Sequence, residues 1–294
     1  MRPVKIITDS CADIGGDILE KYDIDYARMN TRYEGKETTA SLTWEFYSPS
    51  ELYGIMRKGD RVLTTQVPAE EFKRVFTMYL EQGYDIVYVG CSLKQSGSVN
   101  TGAIVAKELL PQYEGAQIYC INSLNACVGE GMLAIRAAEY RDQGLSAAEI
   151  NDRVTADRNL VREYVTVHTL DWLKKAGRVK ATSAFFGNLM GVKPIIISDA
   201  VGDQFAVKKV KGRSKSLQEI VSMLAETITD AENQTVYIAH ADCPEDAETL
   251  KQMVMEKIPC RDVVVGYIGP IVGSSIGPDA IGVFAFGEEV TLNA

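Results

Sequence analysis

The sequence has no cysteine pair at CxxC spacing, no GxxxxGK[ST] loop and only two histidines. Each absence takes the usual warrant from a class of chemistry. Without CxxC, neither a zinc ribbon nor a thioredoxin-like pair is indicated; Cys11, Cys91, Cys120, Cys127, Cys243 and Cys260 are scattered. Gly97 and Gly102 have the glycine spacing of a phosphate loop, but Ala103 stands where that loop needs lysine. His168 and His240 are far apart in sequence, and each reads as a hydrogen-bonded structural residue rather than a triad member. His240-Ala241-Asp242-Cys243 carries ligand-type atoms without metal-site spacing, so the expected metals and cofactors are none. The first nine residues hold no secretory apolar core, and scattered thiols without a signal fit a cytoplasmic location. The uncharged stretch 263–278 is broken by Gly266, Gly269, Gly273, Gly277, Pro270 and Pro278. It reads as strand and turn, not as a spanning helix of ~20 apolar residues. Positive charge is also in deficit: 31 Lys and Arg against 40 Asp and Glu leave a formal charge of −9. Such a chain is a poor non-specific nucleic-acid binder, because phosphate contacts need a cationic surface.

What is present is an ordinary globular composition, 46% hydrophobic and 24% charged over 294 residues. At ~150 residues per domain this length suits about two domains. Hydrophobic patterning predicts strands at 4–8, 85–90 and 117–121, an extended segment over 26–33, and helices at 13–22, 49–57, 100–110 and 129–143. Pro68 is expected as the first helical residue before Phe72, Val75, Phe76 and Tyr79. Residues 147–165 read as a further helical region. Beyond about residue 160 the prediction is helix 170–175, strand 206–211, helix 216–228, strand 235–240, helix 245–257 and strands 263–268 and 281–286. The alternation predicts an α/β fold of two α/β domains. The first, 1–160, has a largely parallel sheet flanked by helices. The second, 161–294, has a mixed sheet with helices.

The chemistry is concentrated in hydroxyl-rich turns: Thr8-Asp9-Ser10-Cys11-Ala12-Asp13, Thr64-Thr65-Gln66, Ser92-Leu93-Lys94-Gln95-Ser96-Gly97-Ser98 and Gly273-Ser274-Ser275-Ile276-Gly277-Pro278. Taken singly these are turn chemistry and helix caps, with Ser10 or Asp13 accepting from free backbone N–H groups. Taken together they offer neutral donors and helix N-termini without a general base. That suits holding an anionic head group rather than breaking a bond. Phe185, Phe186, Leu189, Met190, Val192, Ile195, Ile196 and Ile197 form a long apolar passage. It is either plain core or the wall of a slot for an alkyl chain. Burying ~14 methylenes at ~0.8 kcal/mol each supplies roughly 11 kcal/mol before the costs of binding. Two basic runs, Lys174, Lys175, Arg178 and Lys180, and Lys208, Lys209, Lys211, Arg213 and Lys215, are either a solvated face or a docking surface for a phosphate-handling partner.

In order and spacing these motifs resemble the DegV family over nearly the whole chain. Thr8-Asp9-Ser10 with Asp13 is similar to the family's TDSxxD start. Thr64-Thr65-Gln66 with Pro68 resembles its TSQP, and Ser96-Gly97-Ser98 its SGT. Leu170, Leu173 and Gly177-Arg178-Val179 resemble L-x-x-L…GR[IV], Lys193-Pro194-Ile195 resembles KP[IL], and Ile276-Gly277-Pro278 the late GP loop. The resemblance implies a cytoplasmic, non-catalytic carrier that buries a long-chain fatty acid. It would present the carboxylate to a separate fatty acid kinase subunit, with at most peripheral membrane contact for lipid exchange. It implies carboxylate-holding roles for Thr64 and Ser96, with Ser275 where the family usually has histidine. Asp9, Ser10, Thr65, Gln66, Gly97, Ser98 and Gly277 would support the turns. Phe185, Phe186, Leu189, Met190 and Ile195 would form the acyl slot, and Arg178 and Arg213 the partner-docking surface. The sequence departs from the pattern at Ser275, at Asp279 where a glycine is usual, and at Asn122 where an aspartate is usual. Two other readings stand beside this one: an acyl- or phosphoryl-transfer enzyme with Ser96 or Thr64 as nucleophile, and a carrier of another amphiphile.

Overall fold

Strand β1 (Val4–Asp9) is buried at every position. A run with no polar face belongs in a parallel sheet covered on both sides. The computed structural model describes residues 2–181 and 191–293. Its first half continues α1 (Gly16–Lys21), β2 (Ile24–Ala27), β3 (Met29–Tyr33), β4 (Lys36–Ala40), α2 (Pro49–Arg57), β5 (Leu63–Thr65) and α3 (Ala69–Glu81). Next come β6 (Asp85–Gly90), α4 (Ser98–Leu109), β7 (Ile118–Asn122), α5 (Cys127–Asp142) and α6 (Ala147–Asp157). The second half runs β8 (Val161–Thr166), α7 (Asp171–Ala176), β9 (Val192–Ser198), β10 (Gln204–Lys211) and α8 (Arg213–Thr227). It closes with β11 (Thr235–His240), α9 (Pro244–Lys257), β12 (Asp262–Tyr267), α10 (Pro270–Ile276) and β13 (Ile281–Phe286).

The fold is α/β. One sheet, ordered β2-β1-β6-β7, is parallel throughout. The period of two along β1 sends Ile6 to one core with Val87, Val89 and Leu133, and Ile7 to another with Phe72, Phe76, Ile86 and Tyr88. Helices α5 and α6 cover the first face, and α3 and α4 the second. The larger sheet, ordered β10-β9-β8-β13-β11-β12, is mixed: β11 and β12 run parallel and the other pairs antiparallel. Its outer face packs on α8 and α9 through Leu217, Ile220, Leu224, Leu250 and Val254. Its inner face, carrying Val165, Ile196, Ala239 and Phe284, meets Tyr53 and Met56 of α2 and Val128 and Met132 of α5.

Several elements differ from the patterning. Residues 161–165, expected as the end of a helical region, lie in β8 in the middle of the larger sheet. The α6 helix opens with a Ser146/Glu149 capping box and ends at Asp157, and the β-branched and aromatic residues of Val161–Thr166 then alternate between faces. Residues 270–276 are helical rather than strand and turn: Pro270 opens α10 at its first turn. Gly273 lets that helix approach Tyr53, whose hydroxyl stands 2.3 Å from where a Cβ would lie. Pro68 is the N-cap of α3 and not its first helical residue. The small antiparallel sheet β4-β3-β5 was outside the prediction apart from the extended segment that contains β3. Its β4 is mostly charged and threonine, and its β5 has only three residues, so neither has an apolar run to announce it. Among the described residues no helix is long and apolar enough to cross a membrane.

Candidate functional site

The β1, β6 and β7 strands end at one edge, and the chain turns there through Cys11, Cys91 and Ala126. Open parallel sheets collect ligands at this carboxyl edge. These three residues line a cavity whose opposite wall is the inner face of the larger sheet, through Glu163 and Val165 of β8, Gln204 of β10 and Phe284 of β13. Ile271, Val272 and Ile276 of α10 and Leu173 of α7 close the apolar part. The empty space is about 970 Å³ with the open mouth included.

The polar part is built by three segments. Thr64 and Thr65 end β5, Gln95, Ser96 and Gly97 precede α4, and Ser275 lies on α10, which packs against β5; all six line the cavity. Gln66 lies over Gly97, where a Cβ would stand 2.2 Å from its Oε1, and donates to Thr101 Oγ1 at 2.7 Å. Only glycine permits that approach. Ser96 Oγ lies 2.9 Å from Ser98 Oγ, and Ser98 Oγ accepts from Val67 N–H at 3.1 Å. The serine turn is thus tied to the segment that carries Thr64. Arg178 is exposed on the rim, with Nε donating to the Gln95 carbonyl at 3.2 Å and Nη1 to the Ala176 carbonyl at 2.6 Å.

The structure therefore brings Thr64, Thr65, Gln66, Ser96, Gly97, Ser275 and Arg178 to one cavity. Other expectations are placed differently. Asp9 and Ser10 are buried behind the wall. Ser10 caps no helix: its Oγ donates to the Ala40 carbonyl at 2.8 Å and accepts from Met29 N–H at 2.9 Å. Asp13 is no cap either, since α1 begins after Gly15. Ile195 packs with Leu217 and Ile220 on the α8 side of the larger sheet, whereas Ile196 takes the inner face. A strand's alternation permits only one of two neighbours on each side. Phe185, Phe186, Leu189 and Met190 lie outside the described residues. Arg213 is half-buried and turned inward, with Nε on Asp246 at 2.8 Å and Nη2 on the Asp279 carbonyl at 2.8 Å. The Asp279 carboxylate accepts from Arg57 at 2.7 Å, so its charge is compensated on the far side of that loop.

The two histidines stand apart. His240 Nδ1 accepts from Cys243 N–H at 3.1 Å, and its ring packs on Tyr267. Among the described residues lining the cavity there is no histidine. The buried carboxyl there is Glu163, whose Oε1 accepts from Ser198 Oγ at 2.8 Å and Gln204 Nε2 at 2.9 Å. Burial raises its carboxyl above the ordinary value, against the pull of those two donors. The native state then holds a proton that the unfolded chain has released. Glu163 therefore lowers folding stability as pH rises from the ordinary glutamate value through the raised native one. Denaturant midpoints across that range are expected to fall less steeply for Glu163→Gln than for the parent. Equal slopes would contradict a raised Glu163.

Sequence reasoning missed the cysteines, Glu163, Gln204 and the apolar α10 side chains, though it named Ser275. They come from separated segments, and no local spacing marks them.

The DegV family model matches residues 3–288. A DegV domain-containing protein of Clostridium perfringens is 35% identical over 288 residues, covering 98% of this chain and 99% of its own. A DegV lipid-binding protein from Thermotoga maritima superposes with a TM-score of 0.85 at 25% identity, covering 99% of this chain and 100% of that one. A DegV family protein from Thermus thermophilus, described by its fatty-acid binding, gives 0.87 at 25% identity, with 98% and 100% covered. The chain belongs to the DegV family.

Proposed function

We propose that this chain binds a long-chain fatty acid in the cavity between its two large sheets. The carboxylate is held at the rim by Thr64, Ser96 and Ser275, and the chain presents it to a separate fatty acid kinase. One observation carries the reading: hydroxyls and a guanidinium line a cavity whose remaining lining, Glu163 and the glutamines apart, is largely apolar. Such an arrangement matches an amphiphile with one anionic end, because charge-assisted hydrogen bonds hold the head while the tail is removed from water. The fatty-acid binding of DegV neighbours supports the same ligand class. The cavity offers no histidine among its described lining residues to activate Ser96 or Thr64 as a nucleophile. Binding without catalysis is the simpler use of these groups. The two-domain division at about residue 160 belongs to this reading, with the ligand lying where the domains meet.

Arg178 has two uses at the rim. Its charge favours a carboxylate below it, and its exposed position suits contact with a partner that handles phosphate. Arg178→Ala is expected to weaken palmitate binding roughly tenfold, as for one hydrogen bond to a charged group. The parent's affinity falls with added salt, and the variant's falls less. Titration calorimetry with palmitate and with hexadecanol separates head from tail: the variant loses affinity for the acid and keeps it for the alcohol. Equal losses for both would remove Arg178 from the head-group site.

A further inference from the structure

One wall of the cavity holds a second constellation, to which head-group binding assigns no role. Cys11 and Cys91 follow β1 and β6, and Glu130 lies on the first turn of α5. All three are buried, and their two sulfurs and a carboxylate oxygen lie within 4.8 Å of one another. From these residues we infer a site for a thiophilic divalent cation, of which Zn²⁺ is the type, ligated by Cys11, Cys91 and Glu130.

Three observations support it. First, Glu130 is fully buried, its Oε1 accepts from Thr8 Oγ1 at 2.9 Å, and its Oε2 has no hydrogen-bond partner. A wholly buried carboxylate oxygen without a donor is costly unless a cation or proton meets it. Among the described residues no lysine, arginine or histidine forms an ion pair with it. Second, the donor set suits the ion. Zinc takes thiolate at ~2.3 Å and carboxylate oxygen at ~2.0–2.2 Å, so tetrahedral ligand atoms stand about 3.5–3.8 Å apart, a small contraction of the cluster. Third, an outer shell is built around it. The Asp9 carboxylate accepts from Cys11 N–H at 2.9 Å, from Cys91 N–H at 3.2 Å and from the Tyr88 hydroxyl at 2.6 Å. It thereby fixes both cysteine backbones at once, the role that outer-shell carboxylates play at metal centres. Cys11 and Cys91 also line the cavity, so an ion enters through its mouth and a fourth coordination position faces the empty space.

The test uses Co²⁺ as a coloured stand-in for Zn²⁺ on the full-length chain, reduced and stripped with chelator. The site predicts one Co²⁺ per chain with a thiolate-to-cobalt charge-transfer band and the strong visible bands of tetrahedral coordination. Cys11→Ser and Cys91→Ser each abolish the charge-transfer intensity of their sulfur and weaken binding on the order of 100-fold. Asp9→Asn, a change at a positioning residue, weakens it about 10–100-fold while leaving the band in place. Cys260→Ser, distant in the fold, changes nothing. Because buried variants can misfold, the parent protein supplies an independent reading. Zn²⁺ protects Cys11 and Cys91 from alkylation, as mapped by peptide mass, and leaves Cys260 as reactive as before. No thiolate band, a band that survives both cysteine changes, or no selective protection would each overturn the site. These readouts involve no fatty acid, so their failure leaves the carrier reading intact.

Discussion

Replacing both rim hydroxyls, Thr64→Val with Ser96→Ala, is expected to lower fatty-acid affinity on the order of 100-fold or more. In the proposed binding mode each hydroxyl supplies one hydrogen bond to a carboxylate, worth about 1.5–3 kcal/mol, and about 1.4 kcal/mol is tenfold in affinity. The two contacts share one ligand, so their losses need not add. Valine keeps the shape and β-branching of Thr64, which pairs with Thr31 in the small sheet, so β5 is retained. Alanine at 96 also frees Ser98 Oγ from its 2.9 Å partner, but Ser98 Oγ still accepts from Val67 N–H. Circular dichroism should therefore match the parent while palmitate titration does not. An affinity within threefold of the parent would move the head group elsewhere in the cavity.

Gly277→Ala is expected to cost on the order of 2–4 kcal/mol of folding stability. Gly277 ends α10 at φ 90° and ψ 169°, a region that only glycine enters freely. A Cβ there would also stand 2.2 Å from Cδ1 of the Trp172 indole. The indole is only half-buried and has room to turn, so backbone strain supplies the more secure share of the loss. Because α10 carries Ser275 and three apolar cavity residues, the variant should also bind fatty acid more weakly. A denaturant midpoint equal to the parent's would show that the turn adopts another conformation.

The fold was legible where burial leaves a simple pattern. Asp85–Gly90 and Val4–Asp9 are buried at every position, and such runs announce a parallel sheet. The α2 bounds, Pro49–Arg57, follow from Ser48 and Glu51 forming a capping box with Pro49 behind the cap. β8 was lost because α6 leads into it almost without a break, so that one apolar pattern runs into the next. The site divided in the same way. Thr64, Ser96 and Ser275, which line the cavity, were singled out because they stand in short hydroxyl-rich runs of sequence, and such runs are local although Thr64 lies in β5 and Ser275 on α10. The described apolar walls were not, since Val165, Ile271, Ile276 and Phe284 come from three elements on the opposite side of the cavity. No window of sequence contains them together. Cys11, Cys91 and Glu130 escaped for the same reason: the spacing rules for metals count along the chain, and this cluster forms across two strand ends and a helix.

A fatty acid in the cavity would show first in what the purified protein carries. Purified from a bacterial host, extracted with organic solvent and analysed by mass spectrometry, it should release a long-chain fatty acid close to one per chain. An extract without lipid, from a protein that also fails to bind added palmitate, would contradict the account.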